Sequence, residues 1–87
     1  MRDGLDGLYW FSMPALAWLF RVRVHTIEAL ATKGKLGARR VENDIDYFQI
    51  YCAETYFGRS IGMKDRKAAC RQVEWLTDVM ENWRPIQ

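Results

Sequence analysis

The stretch SMPALAWLFRVRVHTIEALATKGKL, from Ser12 to Leu36, decides the architecture. Ser12 is a good helix N-cap, and Pro14 falls in the first turn, where its missing N–H is harmless. Met13, Leu16, Ala17 and Phe20 then recur at helical spacing on one face. A break is expected around Arg21–Arg23. A second helix should run from Val24 to Lys33, with Ile27, Leu30 and Ala31 inward and His25, Glu28 and Thr32 outward. Gly34 stands where a left-handed residue closes a helix most cheaply. Two short helices joined by a tight turn need a small residue where their axes approach, and Ala17 supplies it. Val22 would plug the turn.

Downstream, Ala38–Val41 and Ile45–Ile50 are short apolar-containing runs around Glu42-Asn43-Asp44, the pattern of a β-hairpin over residues 37–50. Its register is ambiguous, because Ile45/Tyr47 and Phe48/Ile50 favour opposite faces. A third helix over Tyr51–Phe57 would stop at Gly58. From Lys64 to Trp83, Ala69, Val73, Leu76, Met80 and Trp83 recur at spacings 4-3-4-3, an amphipathic C-terminal helix. Its stripe suits either packing on the domain's own core or the seam of a homo-oligomer. Upstream, Tyr9, Trp10 and Phe11 are expected to lid the core. Trp18 and Leu19, beside the buried face of the first helix, are expected to contact a third or terminal helix.

The 87 residues are 49% apolar and 14% aromatic, enough for one small core and too few for a large catalytic fold. Residues 1–87 are therefore read as a single domain, mainly α with a small β-hairpin. Cys52 and Cys70 lack the companions of a disulfide framework or a zinc site, so both are read as reduced thiols in a cytoplasmic protein, with no metal and no cofactor. The uncharged run Leu8–Phe20 is too short for a bilayer, and Asp3 and Asp6 stand where a secretory leader carries positive charge. No membrane partner is expected. No phosphate-cradling glycine loop, HExxH or nucleophile–base pair is present, so the chain does not read as an enzyme.

The net charge is only +2, but it is unevenly distributed. Residues 21–40 hold Arg21, Arg23, Lys33, Lys35, Arg39 and Arg40 against Glu28 alone, whereas 41–60 hold Glu42, Asp44, Asp46 and Glu54 against Arg59. The basic window coincides with the second helix and the start of the hairpin.

Ser12, Ala17, Leu19-Phe20, Val22, Thr26-Ile27, Leu30 and Gly34-Lys35-Leu36 together resemble the winged helix-turn-helix of the excisionase and MerR-like DNA-binding family. The resemblance covers residues 12–36 well and extends loosely through the hairpin and third helix. It departs at Arg21, where the family usually has Gly, and that residue would have to tolerate a strained backbone at a cost of about 1 kcal/mol. It implies a small protein of a phage or mobile element, a recombination directionality factor or a transcriptional regulator. Such a protein would insert helix 24–33 into the major groove of double-stranded DNA and lay the hairpin, as a wing, along phosphates. Arg21, Arg23, His25, Thr26, Glu28, Thr32, Lys33, Lys35, Arg39 and Arg40 are the implied contacts. Glu28 would accept from a cytosine amino group, and Arg39 and Arg40 would clamp phosphate. Two alternatives stand beside this. Arg21 and Arg23 have Asp44 and Asp46 as possible internal partners. The lightly charged second helix and the acids at 42–46 also suit a protein-interaction module that keeps the scaffold without binding DNA.

Overall fold

The structure is a computed structural model that describes residues 7–71. Strand β1 (Trp10–Ser12) leads into helix α1 (Met13–Phe20), followed by α2 (Val24–Thr32), β2 (Arg39–Glu42), β3 (Ile45–Gln49) and α3 (Ile50–Phe57). Residues 63–71 are again helical. The chain is thus mixed α/β, with four helices and one antiparallel sheet among the described residues. None of those helices is long and apolar enough to cross a membrane.

Local chemistry accounts for the helix boundaries. The Ser12 hydroxyl accepts from the Ala15 N–H at 3.4 Å, while Ser12 itself ends β1. α1 closes at Arg21, whose φ of 56° and ψ of 46° are left-handed, and Val22 N–H donates to Ala17 O at 3.0 Å. Val22 itself is half-buried, as a plug of that turn should be. α2 ends through Gly34 at φ 75°, where Lys35 N–H returns to Leu30 O at 2.9 Å. α3 begins one residue earlier than the expected Tyr51 and stops at Gly58, also left-handed.

The hairpin is tighter than the sequence suggested. Its loop is the two residues Asn43 and Asp44, with φ of 52° and 63°, the backbone of a type I′ turn that matches strand twist. That turn fixes the register as Arg39↔Phe48, Arg40↔Tyr47, Val41↔Asp46 and Glu42↔Ile45. β1 pairs with the other edge of β3 (Phe11↔Phe48, Ser12↔Tyr47), so the hairpin belongs to a three-stranded sheet of order β1-β3-β2. Tyr9–Phe11 therefore do not merely lid the core. Three residues are too few for a period-two alternation to be visible in sequence, and the partner strand is remote in the chain.

One face of the sheet carries Phe11 and Phe48, both buried among Leu16, Phe20, Ile27, Leu30, Leu36, Ile50, Ala53, Ile61 and Ala69. Phe20 stacks on Phe57 at 4.9 Å between ring centroids. Leu19 is buried, whereas Trp18 is 42% exposed. Arg66 ties the ends of the described chain together. It donates to Leu8 O (3.1 Å), to Ile61 O (3.0 Å) and to the Glu54 carboxylate (3.3 Å). Both cysteines are free thiols. The expected helix 64–83 is seen as far as residue 71, with Ala69 buried; Val73, Leu76, Met80 and Trp83, and with them the oligomer seam, lie outside the described residues.

Candidate nucleic-acid interface

α2 is anchored by Ile27 and Leu30, both buried against α1, which leaves His25, Glu28 and Thr32 along one exposed stripe and Thr26 exposed beside it. The stripe is weaker in donors than its composition implies. The Thr32 hydroxyl donates to Glu28 O at 2.9 Å, so its proton is committed to the helix backbone.

Cations cluster at the two ends of α2. Arg21 and Arg23 are exposed at the start, with Arg23 as the N-cap residue; no side chain caps this end, unlike the Ser12 end of α1. Lys33 is the C-cap residue, and Lys35 follows Gly34, both exposed. Nine residues at about 1.5 Å each separate the clusters by about 14 Å, comparable with the roughly 12 Å width of a major groove. Neither arginine pairs with Asp44 or Asp46: the ion pairs among the described residues are Arg39–Asp46 and Arg66–Glu54.

The hairpin arginines are arranged differently from the paired clamp implied by the sequence. Adjacent residues of a strand point to opposite faces. Arg39 lies on the Phe48 face, diagonal to Asp46, with 3.7 Å between Nη1 and Oδ2. Arg40 lies on the other face, its guanidinium 5.6 Å from the centre of the Trp10 ring. One arginine is thus charge-compensated and the other rests on an aromatic, while Glu42 borders the loop and Asp44 lies within it. The two do not converge. The signal for this was present but unread: a two-residue Asn43-Asp44 loop already sets Arg39 diagonal to Asp46.

Between α2 and the hairpin lies an open cleft of about 340 Å³, lined by Met13, Glu28, Ala31, Thr32, Gly37, Arg39, Asp46 and Phe48. Of the ten sequence-designated residues it gathers Glu28, Thr32 and Arg39. Arg40 is turned away, and the remaining six follow the α2 surface and its ends.

Compared with known proteins, the chain matches no family model, no curated protein and no solved structure.

Proposed function

We propose that this chain binds double-stranded DNA as a winged helix-turn-helix protein, with α2 as the element that enters the major groove. The observation that carries the reading is the placement of Arg21 and Arg23 at one end of a solvent-facing helix and Lys33 and Lys35 at the other. That arrangement offers cations to the phosphates on both walls of a groove while His25, Thr26 and Glu28 meet base edges. The role that follows is the one the sequence resemblance implies, a recombination directionality factor or a transcriptional regulator.

Four phosphate contacts correspond to a slope of about −3.6 in log affinity against log salt. Titration of labelled duplex by fluorescence anisotropy, from about 50 to 200 mM salt, measures that slope. Absence of duplex binding at the low end, or binding indifferent to salt, overturns the reading. Joint replacement of Arg21 and Arg23 by Ala should weaken binding about tenfold or more and flatten the slope by about 2.

A second reading is a protein-interaction module on the same scaffold. The compensated Arg39–Asp46 pair and the acidic hairpin tip favour it, because they remove the hairpin's attraction for a polyanion. Failure to bind any duplex in that titration, with the fold intact, selects this reading.

A further inference from the structure

β2 is one of the two outer strands of the sheet, and it is short, exposed and internally patterned. In an antiparallel hairpin closed by two residues, the residues flanking the loop exchange both backbone hydrogen bonds, and the pairs alternate from there. Glu42 and Arg40 therefore direct their N–H and C=O groups to β3, whereas Val41 and Arg39 direct theirs to the free edge. Val41 is 55% exposed, on a strand whose side chains stand mostly in solvent. Arg40 and Glu42 flank it on the opposite face of the sheet.

From this pattern we infer that the β2 edge pairs with the same edge of a second copy of the chain, about a twofold axis passing between the two Val41 residues. A twofold axis perpendicular to a sheet keeps each face continuous, so a residue can oppose only one of the same facing. Centred on Val41, the pairing sets Val41 against Val41 of the second copy, with both outward backbone bonds made. Each Arg40 then stands against the other copy's Glu42, twice over by symmetry. These charged pairs are the closely spaced kind, with Cα atoms about 4.5 Å apart. Sliding the register by one step in either direction brings Arg40 against Arg40, or Glu42 against Glu42. The sequence Arg40-Val41-Glu42 is thus self-complementary in one register and self-repelling in its neighbours. The same charges discourage indiscriminate edge pairing. The inference is independent of DNA binding.

Amide hydrogen exchange at increasing protein concentration, without DNA and at low salt, tests it on the full chain. Val41 N–H should gain protection with concentration, while Arg40 and Glu42 N–H, bonded within the hairpin, serve as references. Arg40→Glu and Glu42→Arg should each weaken self-association about tenfold or more, because both charged contacts become repulsive. An equimolar mixture of those two variants, and the doubly substituted chain, should each recover it. Val41→Pro removes the outward N–H without touching the bonds to β3 and should abolish association while the melting transition is retained. Concentration-independent exchange at Val41 overturns the inference. So does association by either single charge variant as strong as that of the parent, or failure of the mixture to recover it.

Discussion

Arg21 shows how a single backbone angle can oppose a surface role. Its left-handed φ of 56° is costly for a residue with a Cβ, yet the residue is exposed and precedes α2 by only three positions. Arg21→Gly should raise stability to urea by about 1 kcal/mol while lowering duplex affinity, a trade of opposite signs that a structural role alone would not produce. The glycines at 34 and 37 make a second comparison. Both have positive φ, but a Cβ at Gly34 meets open space, whereas one at Gly37 lies 2.8 Å from the Cys52 sulfur. Gly34→Ala should cost about 1–2 kcal/mol, and Gly37→Ala about 2–4 kcal/mol, in chemical denaturation. Gly34 was legible in sequence because it follows an apolar helical period. The importance of Gly37 was not, since it arises from a contact with a helix thirteen residues or more along the chain.

Among the elements, α1 and α2 were readable because their capping residues and their apolar spacing agree. Ser12 with Pro14 marks one boundary, Gly34 another, and Ile27 and Leu30 identify the inward face without any long-range information. The hairpin was readable in existence but not in facing. Ile45–Gln49 is covered on both sides at Tyr47 and Phe48, so neither alternation wins by hydrophobicity, and the turn had to settle it. β1 was missed because its only evidence is its partner. The candidate interface divides the same way: cations at helix ends follow from chain position, whereas Arg39 and Arg40 were separated by the pleat. Replacing both hairpin arginines by Ala should accordingly change duplex affinity by no more than about twofold, far less than the Arg21/Arg23 pair. Asp46→Ala, which releases Arg39, should strengthen binding and steepen the salt slope by about 1. Both effects are read by the same anisotropy titration.

For the whole molecule, Arg66 connects three parts of the chain that share little sequence proximity: the segment before β1, the C-terminal half of α3, and the start of the last described helix. Its side chain and that of Glu54 are each less than one-fifth exposed, at 18% and 17%, and Ile61 N–H donates to the same carboxylate at 2.7 Å. Arg66→Ala should cost about 2 kcal/mol in urea denaturation, below the range for a fully buried pair because some water reaches it. Arg66→Lys should recover only part of that, since an ammonium cannot reproduce the fork that holds two carbonyls and a carboxylate.

Three successive residues at the start of the sheet are held through their main chain. Leu8 offers its oxygen to Arg66, Tyr9 offers its own to Ile50 N–H at 2.9 Å, and Trp10 is locked opposite Gln49. Such anchors do not ask which amino acid is present, only how many lie between them. Positions 8–10 consequently work as a ruler: exchanging letters leaves these ties in place, but inserting or removing one residue forces the chain to give up either the sheet register or the hold on Arg66.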